Sequence, residues 1–291
     1  MTTAVRIASA PISWGVCEVP GWGYQFAPER VLAEMRALGL TATEFGPPGF
    51  LPDEPTARAA LLKEHDLDAV GGFLPVVLHE EPEHSLDQTV RLALDGLHAA
   101  GAKHLILAAA TGVDGYDTRP ELESTQWRNL LTNLDRISAT AAAEGITASL
   151  HPHVGTHVER YREVQRVLSG CGAALCLDTG HLLVGGTDPR EITRRAADRV
   201  AHSHLKDVDA ELAHQVHDGA VAYSDAVAAD LFRPLGQGDV DLPGILGDLD
   251  AAGYSGYHVL EQDVMLSAEP EGVGPMADVR TSFDYLREWL A

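Results

Sequence analysis

Positive charge is scarce in this chain. Lysine and arginine number 21 against 43 aspartates and glutamates, a formal charge of −22 over 291 residues. Nucleic-acid binders usually carry a basic patch, so nucleic acid is not an expected partner, and the same charge argues against an anionic membrane surface. Cysteine is rare too. Cys17, Cys171 and Cys176 show neither C-x-x-C spacing nor the density of a disulfide framework, which fits a reducing cytosol. No apolar run approaches the roughly 18 residues of a membrane span, and the N-terminus lacks the order of a signal peptide. A dinucleotide fingerprint is missing as well: no G-x-G-x-x-G follows the first strand-like stretch. The expectation is a cytoplasmic protein that contacts neither nucleic acid nor membrane.

What the chain does have is alternation. Val5 to Ile12 reads as a strand, and Pro28 to Leu38 as a helix with Val31, Leu32, Met35 and Leu38 on one face. Strand-like stretches follow at Thr41–Phe45, Ala69–Leu78, Lys103–Ala109, Ile146–Leu150, Ala173–Leu177, Val200–Ala201 and Tyr257–Leu260. Between them lie helical stretches at Pro55–His65, Ser85–Ala100, Glu121–Glu144, Val158–Leu168 and Pro189–Asp198, and Asp278–Leu290 closes the chain. Such regular alternation implies a parallel sheet, and eight repeats imply closure: a single (β/α)8 TIM barrel, residues 1–291, as one domain. One segment breaks the rhythm. Val208–Leu242, with helix expected from Ala210 to Ala228, is an insertion after strand seven, on the side where barrel enzymes build substrate loops.

Four short polar runs each close an apolar strand: Ser149–His153, Leu177–His181, His202–Asp207 and Val259–Asp263. Imidazoles and carboxylates at the carboxyl ends of successive strands suit a divalent metal at the mouth of a barrel. Asp178, His204 and Glu261 are the leading ligand candidates, with His151 as the fourth. Each has a plainer explanation alone, a hydrogen-bonded or ion-paired side chain, but four on consecutive units point together. Strand alternation aims His151 and His153 the same way, as it does His202 and His204, so either member of each pair is eligible. His181 is expected in a loop, able to bind substrate or shuttle a proton. Lys206 offers a cation to a developing oxyanion, unless Asp207 neutralises it in an ion pair. Glu44 falls where its side chain reaches the mouth, and Trp14 and Phe73 are candidate walls for a ring-shaped substrate. The expected partner is a small polyol or keto-sugar. Homo-oligomerisation is left open, because barrel surfaces carry no readable interface code.

At these residues the chain resembles the sugar phosphate isomerase/epimerase superfamily, the xylose-isomerase-like barrels. Within it the chain is most similar to the inosose dehydratases, which dehydrate 2-keto-myo-inositol in inositol breakdown. The likeness rests on Ala10-Pro11-Ile12-Ser13-Trp14-Gly15-Val16, His151-Pro152-His153-Val154-Gly155-Thr156, Leu177-Asp178-Thr179-Gly180-His181 and His204-Leu205-Lys206-Asp207-Val208. The insertion ending in Gly236-Gln237-Gly238-Asp239-Val240-Asp241 and the triplet Glu261-Gln262-Asp263 carry it further. The resemblance implies metal ligands at His151, Asp178, His204 and Glu261, with Mn or Co as the ion and Zn or Fe as alternatives. Where most of the superfamily has a strand-five glutamate this chain has a histidine, which turns the expectation from epimerisation toward elimination. It implies a lyase in which Glu261 or a strand-five histidine such as His153 takes the α-proton, while His181 or Lys206 assists the departing hydroxide. Trp14, Glu44, His153, His181 and Lys206 are the implied substrate contacts. The alternatives are a ketose isomerase or epimerase, and a sugar-binding barrel without catalysis.

Overall fold

A computed structural model describes residues 6–81, 84–113, 115–116 and 118–290. Val5, the expected first residue of strand one, and Asp114 and Asp117 of the loop after strand four lie outside the described residues. In chain order the elements are β1 (Arg6–Ser9), α1 (Pro28–Leu38), β2 (Ala42–Thr43), α2 (Pro55–Glu64), β3 (Asp68–Ala69), β4 (Gly71–Val76) and α3 (His84–Ala100). They continue with β5 (His104–Ala109), α4 (Ser124–Ala143), β6 (Thr147–Leu150), α5 (Tyr161–Gly170), β7 (Ala174–Asp178), α6 (Thr179–Val184) and α7 (Pro189–Ala196). The chain ends with β8 (Val200–Leu205), β9 (Asp207–Val208), α8 (Ala210–His217), α9 (Tyr223–Ala228), β10 (Phe232–Arg233), α10 (Leu242–Ala251), β11 (Tyr257–Leu260) and α11 (Met276–Trp289).

The main sheet is parallel, in the order β3-β2-β1-β11-β8-β7-β6-β5-β4. Its two ends are halves of one strand. Val70, between β3 and β4, donates its N–H to Thr43 O at 2.9 Å and accepts at its own O from Lys103 N at 3.2 Å. The third strand therefore pairs with β2 on one side and β5 on the other, and the ring closes as a TIM barrel.

Two-residue alternation sorts the strands into an outer and an inner face. Leu105, Leu107, Leu150, Leu175, Leu177 and Leu205 face outward into the main core under the helices. Ala8, Ala10, Ala42, Val70 and Val259 form a separate apolar cluster on the other face. Along the inner face of β8 stand His202 and His204, and Asp178 closes β7 in the same layer.

Helix ends follow local chemistry. Pro28 and Gly39 bracket α1, the glycine taking φ +94° as its N–H reaches back to Arg36 O and Met35 O. The expected helix from Glu121 begins instead at Ser124, where the Gln126 side chain accepts the Glu123 N–H at 2.9 Å. The expected single helical stretch Ala210–Ala228 is two helices. Ala220 N turns back to Gln215 O at 2.8 Å, with Gly219 at φ +73°, and this ends α8 before α9 begins. Among the described residues no helix is long and apolar enough to cross a membrane.

Candidate metal centre and active site

Four side chains converge at the carboxyl ends of four neighbouring strands. Asp178 Oδ2 lies 3.3 Å from His151 Nε2 and 3.7 Å from His204 Nδ1, and His204 Nδ1 lies 3.2 Å from Glu261 Oε2. Backbone geometry fixes the carboxylate of Asp178. Its Oδ1 caps α6 by accepting the His181 N–H at 2.7 Å, leaving Oδ2 turned to the cluster. Among the described residues Asp178 Oδ2, His151 Nε2 and His204 Nδ1 are buried with no hydrogen-bond partner. Buried polar atoms are normally paired, so several orphans around one point mark a site that fits a ligand. Among the described residues three donor sets here lie within 4.8 Å: Asp178 with His204 and Glu261, His151 with Asp178 and His181, and His151 with Cys176 and His204. Mixed nitrogen and carboxylate donors suit a divalent metal with open positions for substrate.

His153 belongs to a different part of the site. Both histidines lie past the end of β6, so strand alternation does not apply to them. The His153 Nδ1–H donates to Val154 O at 2.7 Å, which leaves the lone pair on Nε2. Burial, and then the neighbouring His151, push His153 down to about 3, so its ring is neutral. Its ring lies tilted at 36° against that of His181, with centroids 3.8 Å apart. His181, expected in a loop, sits on α6. Burial, with His153 and Lys206 beside it, holds it well below the ordinary histidine range.

Lys206 is the buried cation of the cavity. It hydrogen-bonds Asp263, lies 3.0 Å from Glu261 Oε2 and 3.3 Å from His181 Nε2, and is held charged despite burial by Asp263, Glu261 and Asp178. Gly180 makes room for it: a Cβ there would stand 2.7 Å from Lys206 Cβ. Asp207, considered as the lysine's partner, is engaged elsewhere. Its carboxylate accepts N–H groups from Gly236 (2.8 Å), Gly238 (2.9 Å), Val240 (3.0 Å) and its neighbour Val208 (3.0 Å). It ties down the return of the insertion.

Glu44 also reaches the cavity, but its Oε1 is occupied by His202 Nε2 at 2.6 Å and His204 Nε2 at 2.9 Å. Burial would raise its carboxyl, yet the two imidazoles hold it well below the usual range. Trp14 departs from expectation. It is fully buried, donates to Glu34 Oε2 at 2.7 Å and does not line the cavity. Phe73 does line it, with Trp22 and Tyr116 as the other aromatic walls. Trp22 meets Tyr116 edge-on at 6.0 Å, and Tyr116 meets Tyr223 at 5.4 Å. Gly155, at φ +78°, lets the Tyr116 loop lie against it, since a Cβ there would be 2.6 Å from Tyr116 Cα.

Sequence reasoning missed Asp263, Tyr223, Tyr116 and Trp22. Asp263, two past Glu261, had a signal in its own triplet. The Tyr223 hydroxyl donates to Asp263 Oδ2 at 2.5 Å from within the insertion, where no periodicity marks it.

A family model for xylose isomerase-like TIM barrels matches residues 32–289. The chain is 32% identical over 271 residues to an inosose dehydratase of Geobacillus kaustophilus, covering 89% of this chain and 87% of that protein. It is 31% identical over 297 residues to the rhizopine catabolism protein MocC of Rhizobium meliloti, covering 99% of this chain and 89% of that protein. Among solved structures, the IOLI protein with a bound zinc atom superposes with a TM-score of 0.70 at 13% identity, covering 98% of each chain. An L-ribulose 3-epimerase superposes at 0.66 and 17% identity, covering 99% of this chain and 95% of that one. By ring closure, by the placing of its polar cluster and by these matches, the chain belongs to the xylose isomerase-like TIM barrel family.

Proposed function

We propose that this chain, acting as one barrel domain, is a metal-dependent hydro-lyase that dehydrates a keto-inositol, taking 2-keto-myo-inositol to a trihydroxycyclohexane-dione. The observation that carries the reading is the convergence of His151, Asp178, His204 and Glu261 beside a neutral imidazole and a buried ammonium. The similarity to inosose dehydratases supports the substrate. His151, rather than His153, is read as the strand-five ligand, since its Nε2 faces Asp178 while His153 spends Nδ1 on the backbone.

A divalent ion held by these four residues would supply Lewis-acid stabilisation of charge developing at the ketone oxygen. The donor set takes Mn or Co, with Zn or Fe as alternatives, and the zinc of the IOLI structure supports a divalent ion there. The protein's own groups divide the proton work. His153 Nε2, neutral and unprotonated, takes the α-proton. Lys206 donates to the departing hydroxyl, which leaves as water while the carbon–carbon double bond forms. His181 packs beside His153 with the two rings tilted, and its Nε2 accepts from Lys206, so it steadies the ammonium next to the base. Glu261 is read as a ligand and not as the base, because its Oε2 is already turned to His204 Nδ1 at 3.2 Å and to the Lys206 ammonium at 3.0 Å.

The test is incubation with 2-keto-myo-inositol and Mn2+, following the ultraviolet absorbance of the conjugated product. Turnover should appear with metal, vanish with a chelator and vanish in Asp178→Ala. Exchange of the α-proton for deuterium without loss of water would instead favour a ketose isomerase or epimerase.

A further inference from the structure

We propose that Glu44 is a positioning residue of the metal centre, holding His204 in the tautomer that turns its Nδ1 lone pair toward Asp178 and Glu261. The inference rests on reading His204 as a metal ligand.

An imidazole has two nitrogens, and the partner of one decides what the other can bind. For His204 the partner is Glu44 Oε1, 2.9 Å from Nε2. At 2.9 Å the carboxylate oxygen of Glu44 accepts an N–H from Nε2, which makes Nδ1 the nitrogen that would give its electron pair to an ion. That nitrogen is buried, lacks a hydrogen bond among the described residues, and lies 3.2 Å from Glu261 Oε2 and 3.7 Å from Asp178 Oδ2. Nothing in the strand ladder would select this ring state. The carboxylate does it from across the barrel, entering just after β2.

His202 makes the arrangement rigid. Two residues before His204 on β8, it presents Nε2 to the same oxygen at 2.6 Å. From below it packs on His104, with ring centroids 4.7 Å apart. The carboxylate is thus gripped by two donors from one strand and cannot swing away from His204 without breaking both bonds. The distances are those of N–H···O hydrogen bonds. The same three groups, within 4.8 Å of one another, could alternatively hold an ion of their own, and stoichiometry distinguishes the two readings.

Metal-free wild type, Glu44→Gln and Glu44→Ala would be titrated with Zn2+ against a chromophoric chelator, alongside thermal melts of the metal-free proteins. We expect one ion per chain, with affinity lower by about 10- to 100-fold in Glu44→Ala. Glu44→Gln should lose less, about 3- to 10-fold, because its amide oxygen still accepts an N–H but without charge. In the zinc-loaded wild type, imidazole 15N spectra should show His204 protonated at Nε2, a signature that packing alone would not set. Affinities within twofold of wild type in Glu44→Gln overturn the inference, whether or not Glu44→Ala folds. Two ions per wild-type chain, the second lost in Glu44→Gln, overturn it by making Glu44 a ligand. A wild type that binds no ion removes the metal-site reading beneath it, a result distinct from either.

Discussion

His153 shows how one backbone contact assigns a chemical role. Its Nδ1–H is spent on Val154 O, and burial keeps the ring neutral, so Nε2 is a base already in its working state. Replacement by glutamine keeps polarity and removes the basic nitrogen. In His153→Gln, kcat should fall by about 10²- to 10⁴-fold with metal affinity within twofold of wild type, measured by turnover and chelator competition. Activity within threefold of wild type would move the base elsewhere. At this scale the sequence was informative wherever a polar residue closes an apolar strand, because burial of the strand dictates where its end must point. Asp178, His204 and Glu261 were legible for that reason. Trp14 was not, because its partner Glu34 lies on α1 and only the fold brings the two together. The choice between His151 and His153 was likewise beyond sequence, since both leave the strand before alternation can orient them.

The insertion β9-α8-α9-β10 is the element that completes the site. It delivers Tyr223 to Asp263 and is anchored by one buried carboxylate, Asp207, which accepts the N–H groups of Gly236, Gly238 and Val240. Removing that acceptor strands several buried donors at once. Asp207→Ala should therefore cost about 2–4 kcal/mol in urea unfolding, with Asp207→Asn intermediate. Loss of less than about 0.5 kcal/mol would show that the turn holds itself. Helix α1 was read to the residue because proline and glycine mark both its ends. The alanine-rich stretch after Asp209 misled, since helix propensity runs on through the sequence while Gly219 turns the backbone out of it. The split third strand was hidden for a related reason: its apolar run is continuous, and only the change of hydrogen-bonding partner at Val70 divides it.

The whole molecule is a closed ring whose interior carries uncommon polarity below the site. Burial pushes His104 and His258 down to about 4, against an ordinary value near 6.5 in the unfolded chain. Between those values the unfolded chain takes up protons that the folded barrel refuses, so these two rings draw stability down as pH drops from about 6.5 toward 4. Each histidine contributes a slope of up to about 1.4 kcal/mol per pH unit in that window. Urea midpoints of the metal-free protein at pH 7, 6 and 5 should decline in that order, and His258→Phe should flatten the decline. A midpoint independent of pH over this range would mean that these rings protonate freely in the fold. Closure itself was legible from eight alternations, whereas the stacking of histidines inside the ring was not, because residues meeting there come from strands far apart in sequence.

Four residues from four strands are expected to share one ion. Anomalous diffraction from crystals grown with Mn2+ should show a single strong peak within about 2.0–2.6 Å of His151 Nε2, Asp178 Oδ2, His204 Nδ1 and Glu261 Oε2. A peak away from these atoms, or one that persists in Asp178→Ala with unchanged occupancy, would contradict this.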